Sequence, residues 1–249
     1  MSLWGRMLNV FAAPGDVFDE VKTAKPSTAN WLVPALILTV VSWVAVAVIY
    51  SQPPLQQQLR ETVDQAIQKQ VERSHMSEQQ AEQVRAVGEK WAGVSTKLAA
   101  GLGPVVTAFI TPFFWGLIIW VVGAQILKAK FPYMKAVEVV GLANMINVLE
   151  MIVRALLIVG LSNLYASPSL VLLVKNYDPQ NVVHGLLPLV NVMTFWVLAV
   201  RASALARLAS ISYAKAAAWV FGIWAGYTGT FIGLALASRA IMQKLSGGA

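Results

Sequence analysis

Trp31 to Tyr50 is a run of twenty residues without a charged side chain. An α-helix rises about 1.5 Å per residue, so such a run covers the roughly 30 Å hydrocarbon core of a bilayer. A soluble core helix keeps a polar stripe toward water. This run has only Thr39, Ser42 and the terminal Tyr50 as polar side chains. Four further apolar stretches follow, roughly Ala99 to Leu127, Val139 to Leu161, Leu186 to Val200 and Ala216 to Ala237. Pro104 and Pro112 are expected to kink or shorten the second. With 57% hydrophobic and 12% charged residues and a mean hydropathy of +0.62, the sequence predicts an all-α, polytopic membrane protein of about five transmembrane helices.

The segments outside these runs divide the chain further. Residues 1–30 read as an amphipathic segment. Trp4, Met7, Leu8 and Phe11 recur at helical spacing, and after Pro14 so do Val17, Phe18 and Val21, opposite Asp16, Asp19, Glu20 and Lys22. Such a segment either lies in the headgroup plane or packs on the cytoplasmic end of the bundle. Met1 to Asp19 has no continuous apolar core, so it does not read as a secretory signal.

Residues 31–50 are the first span. Residues 51–98 read as a helical hairpin outside the membrane: Leu55, Leu59, Val63, Ile67 and Val71 in one arm face Val84, Val87, Trp91, Val94 and Leu98 in the other. A capping box at Ser77 and Gln80 starts the second arm, and Arg60 with Asp64, and Arg85 with Glu89, sit at i,i+4. Residues 99–237 hold the other four spans, and residues 238–249 form a tail.

Loop charge sets orientation. Arg6, Lys22 and Lys25 precede the first span; Lys128, Lys130 and Lys135 lie before the third; Arg201, Arg207 and Lys215 lie before the fifth. With five spans these three groups share one side, which the positive-inside rule assigns to the cytoplasm. The hairpin balances its acids and bases, and the other side otherwise has only Lys175, Arg239 and Lys244. The reading is therefore a multi-pass protein of the cell membrane, with the N-terminus cytoplasmic and the hairpin and C-terminus extracytoplasmic. The net charge of +7 reflects this topology and anionic lipid rather than nucleic acid.

Candidate chemistry is sparse. The chain has no cysteine, which excludes disulfides, thiol catalysis and thiolate metal sites. His75 and His184 fall in separate loops, and no metalloprotease, P-loop or nucleophile-elbow motif is present. No catalytic residue, metal or cofactor is expected. Asn144, Asn147, Glu150 and Arg154 share one face of the third span at about 100° per residue. Buried charge is costly in a bilayer, so this face points into the bundle or a wet cavity. Either it lines a solute path, or Glu150 and Arg154 neutralise each other while the asparagines bond neighbouring helices. In the fifth span, Gly222, Gly226, Gly229 and Gly233 form small-xxx-small pairs, suited to packing within the chain or to a homo-oligomer seam.

The ordered pattern Phe11-x-x-Pro14-x-x-x-Phe18, then lysines, then Trp31-x-x-Pro34 opening the first span, resembles the bacterial branch of the Yip (Ypt-interacting protein) family. The resemblance extends through the polar helical insert and a loop with Phe131, Lys135 and Ala136, and covers roughly Val10 to Ala237. It implies a small helical membrane protein with a cytoplasmic N-terminus. Eukaryotic members are linked to Rab-type GTPases and vesicle traffic by binding rather than catalysis. The Asp-Leu-Tyr-Gly-Pro motif of many of them is missing here, so GTPase binding is not carried over. The expected function is a non-enzymatic membrane component contacting lipids and other membrane or peripheral proteins. The alternative is a transport or permease component using the polar face of the third span.

Overall fold

Local sequence signals set several of the element boundaries in the computed structural model, which describes residues 1–73, 78–175, 177–178 and 181–246. Ser2 caps α1 (Leu3–Asn9) by accepting the Gly5 amide, and Pro14 opens α2 (Pro14–Thr23) at its first turn, where a missing amide proton costs nothing. The uncharged run becomes α3 (Ala29–Tyr50), continuous through Pro34. Pro53 opens α4 (Pro53–Arg73), and α5 (Glu78–Trp120) is the next helix. The rest are α6 (Tyr133–Ala143), α7 (Met145–Leu161), a short α8 (Val182–Leu186), α9 (Val192–Ala209) and α10 (Tyr213–Ser246). Five stretches are long and apolar enough to cross a membrane: Ala29–Tyr50, Ala86–Ile126, Tyr133–Leu161, Val192–Ala209 and Tyr213–Ser238. The protein is an all-α, multi-pass membrane protein.

Several boundaries differ from expectation, each for a local reason. α5 runs unbroken from the hairpin into the second span and passes through Pro104 and Pro112. It stops after a π-helical turn, Val121–Ile126, where Lys128 takes a left-handed φ of 60° and the Phe131 ring covers Gly123. The third span starts at Tyr133 rather than Val139 and divides at Asn144 into α6 and α7. It accommodates Lys135 and Glu138 because they face each other. The fourth span is displaced toward the C-terminus: residues 186–191 form a turn around Pro188, and α9 carries both Arg201 and Arg207. Arg201 is therefore a bundle residue, not the loop residue the charge pattern suggests.

The principal core lies at the N-terminal end of the bundle. Met7 and Val10 from the first helix and its cap, and Val17, Phe18 and Val21 from α2, join Ile119, Leu142, Ile146, Leu198 and Leu205. The apolar face of α2 is thus covered by protein, chiefly α9. Of the two placements open to this segment, α2 takes the packed one, while Trp4 and Leu8 of α1 stay exposed. A second cluster seats α3 against α5 and α7 through Ala35, Leu38, Ala108 and Val148. A third, Leu55 with Ile158 and Ala166, ties the foot of the hairpin to the α7–α9 connection.

α4 and α5 pack on each other, but not over the seam expected from the sequence. Ile67 packs on Gly88, whereas Val87, Trp91, Val94 and Leu98 point outward. A helix pair can approach more closely over Gly88 than over Val87 or Trp91, and that closeness rotates the bulky stripe away from α4. His75 and Ser77, with its part of the capping box, and the side chains of Gln80, Val84, Arg85 and Glu89 lie outside what the structure describes. Arg60 and Asp64 are not within ion-pair distance of each other.

Candidate functional site

The polar side chains in and beside the membrane gather into one chain of contacts at the N-terminal end and two isolated ones deeper in. The first begins with Lys135, buried near the start of α6. Its ammonium donates to the Val21 and Ala24 carbonyls, each at 2.8 Å, and lies 3.3 Å from Glu138 Oε1. Those carbonyls are the unsatisfied C-terminal end of α2, where a cation is favoured by both hydrogen bonding and the helix dipole. Two ammonium protons are thus taken by carbonyls, and Glu138 Oε1, which accepts no hydrogen bond, stands at ion-pair distance only.

Glu138 carries the network onward. Its Oε2 accepts from Asn30 Nδ2 at 2.7 Å, and Asn30 Oδ1 in turn accepts from Arg6 at 3.2 Å. Arg6 also donates to Glu20 at 2.8 Å, and the terminal ammonium of Met1 meets the same carboxylate oxygen. These donors hold the Glu20 carboxyl below its ordinary value of 4.5, against the opposing effect of burial. Five residues from α1, α2, α3 and α6 are therefore joined by charge-assisted bonds. The buried Lys135–Glu138 pair is neutral overall and hydrogen-bonded at both ends, the condition under which such a pair is tolerated.

This cluster escaped the sequence reading, which took Lys135 for a loop residue. The signal was present: Glu138 stands three residues after Lys135 inside the apolar stretch Ala136 to Ala143. Two charges at i,i+3 on one helical face can neutralise each other.

The second contact is Arg201, in the middle of α9 and 4% exposed. Its guanidinium lies 4.5 Å from the centre of the Trp115 ring and donates to Asn144 Oδ1 at 3.2 Å. Asn144 sits at the break between α6 and α7 and also accepts from Asn147 at 3.2 Å. Arg201 has no carboxylate within 4 Å among the described residues. An aromatic face and an amide oxygen are its counter-groups, an arrangement suited to the diffuse guanidinium charge.

The third contact is Glu150 with Asn191, 2.7 Å apart. Asn191 caps α9 through its side-chain oxygen, which accepts the Met193 and Thr194 amides, while its amide nitrogen donates to Glu150. The four residues expected to share the third-span face therefore separate. Asn144 and Asn147 join Arg201, Glu150 joins Asn191, and Arg154 is exposed. The mutual neutralisation expected of Glu150 and Arg154 is absent: the two are not within ion-pair distance.

The glycines show a similar displacement. A Cβ placed on Gly222, Gly226, Gly229 or Gly233 would meet nothing within 4 Å, so the described residues pack nothing against them. The close approach occurs at Gly141, where a Cβ would fall 2.3 Å from the Trp31 Cα, and at Gly116, where it would fall 3.2 Å from the Val137 Cα. His184, expected in a loop, accepts the Asp178 amide on Nδ1 at 2.9 Å and stacks on Tyr177.

Among the described residues no group of three or more His, Cys, Asp or Glu could hold a metal ion. Lys135, Glu138, Asn144, Glu150 and Arg201 link one element of the bundle to another. A family model described as the Yip1 domain matches residues 8–237. Comparison with curated proteins and with solved structures returned no match.

Proposed function

The chain belongs to the Yip1 domain family, and from that premise we propose that it is a non-enzymatic membrane component that acts by contact with other proteins or with lipids. The single observation that carries this reading is the use of its membrane-level charges. Lys135, Glu138 and Arg201 bond to other elements of the same chain, as does Glu150. Such contacts favour a scaffold that presents surfaces over one that passes a solute.

The surfaces we assign to contact are the α4/α5 hairpin, with its outward Val87, Trp91 and Val94, and the exposed Trp4 and Leu8 face of α1. We place the N-terminal end in the cytoplasm of a cell with the hairpin on the far side of its cytoplasmic membrane. This is supported by the basic residues near the N-terminus, at Lys128 and Lys130, and at Arg207 and Lys215.

The test is site-specific photo-crosslinking in the native membrane followed by mass spectrometry. A crosslinker at Trp91 or Trp4 is expected to capture a defined set of proteins or lipids, and one at Leu234 on the lipid-facing side of α10 bulk lipid only. Identical products from all three positions would remove the assignment of these surfaces. The transport alternative predicts a liposome flux that Glu150→Gln abolishes; we expect no flux that depends on this side chain.

A further inference from the structure

A cavity of about 540 Å³ opens where the end of α3 meets the two arms of the hairpin. Its charged walls are Arg60 and Asp64 of α4 and Lys97 of α5, and its apolar walls are Leu59 and Val63. Gly93 leaves part of the space open: a Cβ there would meet nothing within 4 Å. Among the described residues neither Arg60 nor Lys97 lies within ion-pair distance of a carboxylate, Asp64 included. Two unpaired cations therefore face one partly apolar space.

The depth of this cavity follows from one hydrogen bond. Trp43 of α3 donates to the Gly101 carbonyl of α5 at 2.9 Å, which fixes the register of two helices running in opposite directions. From Trp43 to the end of α3 at Tyr50 the helix rises about 10 Å. The same rise on α5 leads from Gly101 back to about Val94. Tyr50, Gly93 and Lys97, all in the cavity wall, thus stand where the first span leaves the hydrocarbon. Trp91, 67% exposed, stands just beyond, at the level where tryptophan and tyrosine mark the headgroup layer.

We propose that this cavity holds the headgroup of an anionic phospholipid from the leaflet on the hairpin side. Its phosphoryl oxygens lie between Arg60 and Lys97, and its glycerol and upper acyl carbons lie along Leu59 and Val63. Charge selects the class of lipid. Two cations and one carboxylate leave a single positive excess, which one phosphodiester neutralises. A zwitterionic headgroup would leave that excess standing. The apolar walls and the depth favour a phosphate carried by a bilayer lipid over one free in water. This inference rests on the contact reading above and narrows it to lipid at one surface.

The experiment is native mass spectrometry of the full chain in detergent doped with equal amounts of phosphatidylglycerol, phosphatidylethanolamine and phosphatidylcholine. The unmodified protein is expected to retain one phosphatidylglycerol in preference to the other two. The double variant Arg60→Gln/Lys97→Gln is expected to lower that bound fraction about tenfold. Gly93→Leu is expected to lower it by filling the space without changing charge. Lys25→Gln/Lys130→Gln, which removes the same charge from the other end of the molecule, is expected to leave it unchanged. Size-exclusion and thermal melting of each variant establish that the fold persists, and the charge variant carries the test should Gly93→Leu not fold. Equal retention of the three lipids, preference for phosphatidylethanolamine, an unaltered Arg60→Gln/Lys97→Gln variant, or displacement by millimolar inorganic phosphate would each overturn the proposal. None of these outcomes bears on protein capture at Trp91, so failure here is distinguishable from failure of the contact reading.

Discussion

At Gly141 a single hydrogen atom decides whether two helices can meet. A methyl group there would lie 2.3 Å from Trp31 Cα and 2.9 Å from the Asn30 carbonyl oxygen, and neither backbone can yield without moving a helix. Asn30 also bonds Glu138 one turn before Gly141, so separating α3 from α6 stretches the polar network as well. Gly141→Ala is expected to lower stability by about 1–3 kcal/mol, the usual range for overpacking, or to abolish folding. Gly226→Ala, whose Cβ meets open space, is expected to be neutral within about 0.5 kcal/mol. Thermal unfolding of the two variants in the same detergent compares them directly. Equal melting temperatures would contradict the close approach at Gly141. Sequence spacing pointed to the glycines of α10, because small-xxx-small repeats are visible in one helix. A lone glycine opposite a tryptophan backbone is visible only in three dimensions.

The N-terminal helices are held by electrostatics as well as by packing, and this makes them sensitive to acid. Glu20 has a carboxyl pKa depressed by bonds from the terminal ammonium and Arg6. A depressed folded-state pKa adds stability that is present above the ordinary value near 4.5 and is lost as pH falls through the folded value. Residues 1–23 are thus expected to lose protection from hydrogen exchange or protease below about pH 4.5, while α3 and α9 remain protected. In Glu20→Gln that added loss on acidification is expected to disappear. A loss in the variant that matches the unmodified chain would show that packing alone holds the segment.

The number and type of these elements were legible because twenty-residue apolar runs and proline signals act locally. Their ends were less so. Lys135, Glu138 and Arg201 looked like span boundaries because an isolated charge is costly in a bilayer. Each is instead met by a group far away in sequence: α2 carbonyls, Asn30, Trp115 or Asn144. The candidate polar face was half legible for the same reason. Asn144, Asn147 and Glu150 do turn toward protein, but Asn147 bonds Asn144, and the partners of Asn144 and Glu150 across the bundle come from α9 and its cap, whose register the sequence misplaced.

For the whole molecule, the arrangement of its two ends follows from contacts that join distant loops. Lys22 donates to the Arg207 carbonyl at 2.8 Å and to Ser210 at 2.7 Å, and Arg207 meets Asp19 at 2.8 Å. Lys135 reaches the end of α2. The N-terminal segment, the loop before α6 and the α9–α10 turn therefore share one end. Gln58 of the hairpin accepts the Leu164 amide at 2.7 Å, and Thr62 meets Tyr165 at 3.1 Å, so the hairpin and the α7–α9 connection share the other. These contacts fix which segments lie together, so the cytoplasmic placement proposed for the N-terminal segment applies to all three segments of that end or to none.

The natural chain has no cysteine, so single-cysteine variants report on one position each. With a membrane-impermeant maleimide applied to intact cells, Gln57→Cys and Lys175→Cys are expected to label. Lys25→Cys, Lys130→Cys and Ser212→Cys are expected to label only after the membrane is opened. The two groups test different things. If all five exchange roles together, the orientation is reversed but the structure stands. If Ser212→Cys labels with Gln57→Cys while Lys25→Cys does not, the contact between Lys22 and the α9–α10 turn is wrong, and the path of α9 through the bundle fails with it.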